Sequence, residues 1–289
     1  MTKEIPIIIP AFGQYDLLNK CINSIIDNTT IPFRIIVVDD CFMLPYDNNA
    51  VEIIRNEKNL GFTKSINVGL RYLHGNYDYV VILNSDTEVT KNWLESCIPI
   101  AMMDSKIGII GGLGKNPSDE KNHQDCEMAD LIGGHSIIEL VNEEKKKYSE
   151  TMHDMICFSF FFAFFTKSLI ETIGIFDERY ITWCSDSDYA LTSLSRGFRN
   201  VYNPNCIIKH KTSSTVKQLP PGSLKKDQMQ FIKKWCGGMA NELFKKIPFN
   251  CENDIIAQVG VGFYDKDNKP VDFKDIFPGV KQDVKKAGV

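Results

Sequence analysis

Residues 78–88 read DYVVILNSDTE: an apolar, β-branched run from Tyr79 to Leu83 that stops abruptly in Asn84, Ser85, Asp86, Thr87 and Glu88. Such a run is expected for a strand buried on both faces of a parallel sheet. In an open α/β sheet the ligand sits beyond the carboxyl ends of the strands, so this strand aims Asn84 and Asp86 into the crevice. A carboxylate among polar neighbours there suits a hard divalent cation that carries a diphosphate. The same residues also make an ordinary polar turn.

Upstream, residues 5–9 form a β-rich run closed by Pro10, and Ala11-Phe12-Gly13 turns the chain. Leu18, Cys21, Ile22, Ile25 and Ile26 recur at helical spacing and predict a helix over residues 15–28. Residues 33–38 read as a second strand ending in Asp39-Asp40, and residues 51–55 as a third. After Asn59-Leu60-Gly61-Phe62, the residues Ile66, Gly69, Leu70 and Leu73 mark another helix. Downstream of the central strand a helix is predicted around residues 91–103, then a strand over 107–110. The order β-α-β-β-α-β-α-β predicts an α/β fold with a mostly parallel sheet and right-handed crossovers. Three strand ends, Phe12-Gly13, Asp39-Asp40 and Asn84-Ser85-Asp86, then share one edge where a nucleotide can lie. Gly111-Gly112-Leu113-Gly114 lacks the GxGxxG spacing of a dinucleotide site and reads as a flexible turn.

Composition narrows the class. The chain has 289 residues, 43% hydrophobic and 24% charged, with a net charge of −4, as in an ordinary globular protein with one large or two small domains. Nine cysteines without a CxxC pair argue against a zinc site and against a disulfide framework, and a reducing cytosol is the simplest setting. The opening MTKEIPIIIP has too short an apolar run for a secretory signal. The longest apolar run, residues 155–165, is well below the roughly 20 residues needed to span a bilayer and is expected to be a core strand. Cytoplasmic placement is the expectation.

Residues 115–148 lose periodicity, as expected of a functional loop or a disordered segment. His123, His135 and His153 lack the partner spacing of a metal site, and residues 143–147 read as a solvated helix face. After a short helix over 168–173 comes GIFDERYITWCSDSD, residues 174–188. Ser185 and Asp186 look like a helix N-terminal signal, with the helix running over 188–195 to Gly197. Capping and the helix macrodipole account for one acidic residue here easily, and less so for the pair Asp186 and Asp188. A carboxylate at such a place beside a metal-bound diphosphate also stays ionised and can accept a proton.

Together IIIPAFGQ, IIVVDD, NLGFTKSINVG, LNSDTEV, IGIFDERYITWCSDSDY and VYNPNCIIKHKTSS, in this order, resemble the inverting, nucleotide-sugar-dependent glycosyltransferases of family two, with a GT-A fold, over residues 5–214. The resemblance implies that Pro10, Ala11 and Phe12 lie along the nucleotide and that Asp39 hydrogen-bonds its base. It implies further that Asn59, Gly61 and Asn67 flank the nucleotide and diphosphate, with Asn84 and Ser85 at the DxD-like element. Asp86 matches the metal-binding Asp of that element, with Asn84 where many members have its first Asp, and His210 matches a histidine that completes the metal site. Asp186 aligns with the general base. The implied cofactor is Mn²⁺ or Mg²⁺, and a histidine ligand tilts the choice toward manganese. Ser185, Thr192 and Cys41-Phe42 depart from the residues the family usually has there, which bears on acceptor and leaving-group contacts.

The expected division is a GT-A domain over 1–215, with a nucleotide-binding half over 1–114 and an acceptor or catalytic half over 115–215, followed by a basic helical extension and tail over 216–289. From residue 205 to 250 nine lysines face only Asp227 and Glu242. Met229, Ile232, Trp235 and Cys236 predict one apolar helix face. Such a helix fits a solvated face packed on the catalytic domain, the surface of an anionic membrane with a lipid-linked acceptor, or a polyanion. Three functions stay open: transfer of a sugar to a glycan or glycolipid, transfer to a hydroxylated base in DNA, and nucleotide-sugar binding without catalysis.

Overall fold

The computed structural model describes residues 3–115, 152–155, 159–211 and 223–235. Strand β1 (Ile5–Ala11), buried along its whole length, pairs in parallel with β2 (Phe33–Asp39) on one side and β4 (Tyr79–Leu83) on the other, and β2 pairs in parallel with β3 (Glu52–Arg55). Isoleucine and valine fill β1, β2 and β4, which are buried over most of their length and leave no room for a polar alternation, whereas β3 at the sheet edge is half-exposed. Helix α1 (Tyr15–Asn28) buries Leu18, Cys21, Ile22 and Ile25, while Ile26 lies at the margin of this stripe and is exposed. Helix α2 (Phe62–Tyr72) approaches β1 so closely that a Cβ on Gly69 would stand 2.6 Å from Ile8 Cγ2.

The sheet continues beyond β4 in a mixed arrangement, in the order β3-β2-β1-β4-β8-β6-β9-β5, with β7 also pairing with β9. Strand β8 (Phe162–Thr166) runs antiparallel between β4 and β6 (Ile107–Lys115). Strand β9 (Arg199–His210) is parallel to β6 and antiparallel to both β5 (Thr87–Val89) and β7 (His153–Met155). The expected parallel pairing therefore describes β3-β2-β1-β4 and β6-β9, while β8, β5 and β7 join the sheet antiparallel. The apolar run 155–165 is divided, with Met155 ending β7 and Phe162 opening β8.

Gly111-Gly112-Leu113-Gly114, expected as a flexible turn, is instead part of β6. A Cβ on Gly112 would stand 2.7 Å from the carbonyl oxygen of Cys206, and one on Gly114 would stand 3.1 Å from Phe161 Cζ. The glycines let β6 pass close to β9 and the Phe161 ring, with a register shift between Gly112 and Leu113. Helix α3 (Cys97–Met103) is shorter than expected, because residues 91–96 form turns.

Three helices complete the described fold: α4 (Lys167–Ile173), α5 (Ser185–Ser195) and α6 (Ser223–Trp235). Helix α5 begins three residues earlier than expected, so Asp186 and Asp188 both lie in its first turn. Helix α6 buries Asp227, Phe231 and Trp235, one residue every fourth position, whereas Met229 is exposed. This corrects the expected apolar face, and the side chain of Ile232 and all of Cys236 lie outside the described residues. The 116–151 segment with His123 and His135, and the 236–289 tail, also lie outside them. Among the described residues no helix is long and apolar enough to cross a membrane.

Candidate active site

The parallel strands β1, β2 and β4 deliver their carboxyl ends to one edge, where Ala11 is paired with Asp39. The backbone there turns sharply. Gly13 (φ 67°), Gln14 (φ 52°), Cys41 (φ 61°), Gly61 (φ 84°) and Cys184 (φ 61°) all adopt left-handed conformations in the loops after β1 and β2 and before α2 and α5. Non-glycine residues held there gather at binding sites.

At the end of β4, the Asn84 amide donates to the carbonyl of Phe161 at 2.8 Å, and the Lys211 amide donates to the Asp86 carbonyl at 3.0 Å. The β5–β9 register places Thr87 opposite His210. These links bring Asp86 Oδ1 within 3.4 Å of His210 Nε2, and Asn84 Nδ2 stands 3.4 Å from the same nitrogen. The Phe161 ring stacks on the imidazole at 4.9 Å between centroids and 18° between planes, which fixes its orientation. The Cys21 thiol, pushed up to about 12 by burial, remains protonated beneath this turn, 3.5 Å from Thr87 Oγ1.

Asn84 Oδ1 and His210 Nδ1 are buried and have no hydrogen-bond partner among the described residues. Buried polar atoms left in this way are uncommon and point to a missing ligand or water. The 3.4 Å separation of Asp86 Oδ1 and His210 Nε2 lets both reach one cation whose bonds are about 2.1 Å long. A carboxylate oxygen and an imidazole nitrogen at this spacing are a donor pair compatible with a divalent ion such as Mn²⁺. Among the described residues no group of three or more His, Cys, Asp or Glu side chains gathers around a metal-sized site.

Asp186 opens α5 on the other side of the Phe160-Phe161 turn. Burial pushes its carboxyl above the ordinary aspartate value, and hydrogen bonds from the amides of Ser187, at 2.8 Å, and of Phe160 pull it back. The turn that carries Phe161 onto His210 therefore also carries a donor to Asp186. Asp188 is different. It is buried and accepts from Tyr180 Oη at 3.0 Å, Lys234 Nζ at 2.8 Å and Trp235 Nε1 at 2.7 Å, so its carboxylate is fully engaged in seating α6.

On the nucleotide side, Pro10 and Ala11 are buried in β1, and the partly exposed Phe12 meets Phe42 edge to face at 5.3 Å. Asp39 is fully buried. Its carboxylate accepts from Tyr15 Oη at 3.1 Å, from the Tyr46 amide at 3.2 Å and from Arg55 Nη1. Tyr15 in turn is pushed up to about 12, first by burial and then by the Asp39 charge. The group at this edge is thus an Asp39–Arg55–Tyr15 cluster rather than a lone aspartate. Position 40 builds the neighbouring loop, accepting from Asn56 Nδ2 (2.8 Å), the Leu60 amide (2.7 Å) and the Gly61 amide (2.9 Å).

Asn59 is exposed, with its Oδ1 accepting from the Gly61 amide at 3.0 Å. Asn67, by contrast, is wholly buried. Its amide donates to the Phe176 carbonyl at 2.8 Å and to Glu178 Oε1 at 3.1 Å, and it accepts from the Phe176 amide at 2.9 Å. It ties α2 to the segment leading to α5 and faces no open space. Ser85 is half-buried in the turn between Asn84 and Asp86. Arg55 and Tyr15 escape a reading of the sequence, since an arginine closing a short strand and a tyrosine opening a helix carry no signal until β2 brings them together.

A sequence model described as "Glycosyl transferase family 2" matches residues 7–174. A glycosyltransferase, GlyG, of Streptococcus pneumoniae serotype 4 (strain ATCC BAA-334 / TIGR4) is 26% identical over 105 residues, which is 33% of this chain and 34% of that protein. The match thus spans about a third of that relative's length. Among solved structures, GalNAc-T7 with UDP, GalNAc and Mn²⁺ superposes with a TM-score of 0.59 at 12% identity, covering 83% of this chain and 49% of that one. The mannosyltransferase PcManGT from Pyrobaculum calidifontis, in complex with GDP-Man and Mn²⁺, gives 0.56 at 15% identity, covering 86% and 68%. Staphylococcus aureus TarS in complex with UDP-GlcNAc gives 0.56 at 12% identity, covering 85% and 70%. These structures share the GT-A architecture of a central sheet flanked by helices. With more than half of its length matched by the family's sequence pattern and the same fold in its structural neighbours, the chain belongs to glycosyl transferase family 2.

Proposed function

We propose that this chain is a metal-dependent, inverting glycosyltransferase that moves a sugar from a nucleoside-diphosphate sugar to an acceptor hydroxyl of a glycan or glycolipid. The observation that carries the reading is the Asp86–His210 pair, 3.4 Å apart, joined through the Phe160-Phe161 turn to the half-buried carboxylate of Asp186. Neighbours of this fold were solved with UDP or GDP-Man together with Mn²⁺, which supports a nucleotide-sugar donor and a divalent ion.

Asp86 and His210 are the residues that would hold Mn²⁺ or Mg²⁺. When bound, such an ion acts as a Lewis acid that neutralises charge on a departing diphosphate. In this reading the Asp39–Arg55–Tyr15 cluster and Phe12 hold the base and ribose, while Asn59 and Gly61 flank the diphosphate. Asp186 takes the proton of the acceptor hydroxyl as its oxygen attacks the anomeric carbon from the face opposite the diphosphate, which inverts the configuration. General-base catalysis of this kind is worth about 10²- to 10⁴-fold. Burial raises the carboxyl of Asp186, the direction that makes it the stronger base.

The test is a screen of UDP-, GDP- and dTDP-sugars for thermal stabilisation with and without Mn²⁺, because a ligand that binds only the folded state raises its apparent stability. One nucleotide sugar that stabilises only with Mn²⁺, and is consumed in the presence of an acceptor, is the expected result. Binding without turnover on any acceptor or water would instead mark a non-catalytic nucleotide-sugar module.

A further inference from the structure

The loop that leads into α5 is held from outside its own element. Asp227, on α6, is completely buried and accepts from three consecutive backbone amides: Ile181 at 3.0 and 3.1 Å, Thr182 at 2.9 Å and Trp183 at 2.8 Å. Helix α5 has no side-chain cap of its own, and the residue before it, Cys184, sits in a left-handed conformation. The other face of the loop meets the donor-side loop, where the Thr63 amide donates to the Ile181 carbonyl at 3.2 Å. A Cβ on Gly61 would stand 2.9 Å from that same carbonyl oxygen.

A second tie runs the opposite way. Asp188, in the first turn of α5, accepts from Lys234 and Trp235 at the end of α6. Asp186 therefore lies between two points, residues 181–183 and residue 188, that α6 grips with one carboxylate given and one received. Carboxylate hydrogen bonds to amides are the stronger, charge-assisted kind, and three on one buried group fix a loop in a single conformation.

We infer that Asp227 is a positioning residue for Asp186, so that α6, which follows the family region, completes the catalytic centre rather than trailing behind it. The inference rests on the reading of Asp186 as the base. Misplacement of a reacting group by about 1 Å is enough to cost roughly 100-fold in rate. Asp227 touches no reacting atom. Its effect passes through the backbone of 181–183 into the first turn of α5.

The experiment uses the full chain and two variants. Asp227→Asn keeps the size but places an amide where three N–H groups converge, and Phe231→Leu loosens the packing of α6 without touching those N–H groups. Hydrogen exchange at the amides of 181–183 is read alongside Mn²⁺-dependent hydrolysis of UDP-, GDP- and dTDP-glucose. In Asp227→Asn, exchange at 181–183 is expected to rise about tenfold or more while β1 and β4 keep their protection. Hydrolysis by this variant is expected to fall about tenfold or more in kcat with donor KM unchanged. Phe231→Leu is expected to keep both the 181–183 protection and the rate. Unchanged exchange at 181–183, or faster exchange with unchanged kcat, overturns the inference, as does an equal loss of kcat in both variants. Unchanged hydrolysis in a third variant, Asp186→Asn, with 181–183 still dependent on Asp227, supports the α6 clasp and overturns only the assignment of Asp186 as the base.

Discussion

Asp86 Oδ1 and His210 Nε2 stand 3.4 Å apart, although one closes the turn after β4 and the other closes β9. The antiparallel pairing of β5 with β9 makes the contact, and the Phe161 ring holds the imidazole in place. His210→Ala removes the imidazole that the proposed cation site would use. The Mn²⁺ concentration giving half-maximal stabilisation by a bound nucleotide sugar is expected to rise roughly tenfold or more. A titration that superposes on the wild type would remove His210 from the cation site.

Asp186→Asn separates binding from chemistry. Donor-induced stabilisation should persist while turnover falls by about 10²-fold or more, as read in single-turnover assays. In the wild type the acid limb of kcat/KM should lie above the ordinary aspartate value of about 3.9, because burial raises this carboxyl. The same shift has a stability sign. A group whose folded-state pKa is raised contributes stability that is fully present below its unfolded value and is lost as pH rises through the raised value. The difference in Tm between variant and wild type is therefore expected to move in favour of Asp186→Asn from the ordinary carboxylate range up to neutrality.

Lys234→Met leaves the carboxylate of Asp188 buried without its cation. Asp188 is raised by burial and pulled back chiefly by Lys234, which lies 2.8 Å away and is only 24% exposed. Losing one partner of such a pair is expected to cost about 3 kcal/mol near neutrality, measured by urea unfolding. The loss should shrink as the pH falls through the raised value, where Asp188 is protonated and the ion pair no longer exists. A pH-independent loss would assign the role of Lys234 to packing alone.

Gly69→Ala tests the contact of α2 with β1. The new Cβ would stand 2.6 Å from Ile8 Cγ2, in a strand buried on both faces. The substitution is expected to cost about 1–3 kcal/mol of stability, despite alanine's better helix propensity. Mn²⁺ dependence of the folded fraction should not change.

The β-branched runs of β1, β2 and β4 and the helical stripe of α1 were legible directly, because burial on both faces of a strand and on one face of a helix leaves a periodicity in the chain. Asp86, His210 and Asp186 were legible as candidates through their motifs. Their neighbours were not. Asn67 reads as part of a nucleotide-flanking motif, yet its amide is engaged wholly with Phe176 and Glu178. Gly112 and Gly114 read as a turn, yet they lie in β6, where a side chain would run into the Cys206 carbonyl and the Phe161 ring. Asp227 reads as one acid in a lysine-rich segment, and only the packing of α6 brings it to three amides of a distant loop.

The amino-acid sequence alone therefore determined the elements and the end of the sheet at which they deliver polar residues, since local periodicity and strand termini are properties of short stretches. Tertiary structure alone decided which of those residues meet. Hydrogen-bond partners such as Arg55 for Asp39, His210 for Asp86 and Asp227 for the 181–183 loop are fixed by sheet register and helix seating, which no stretch of chain encodes by itself.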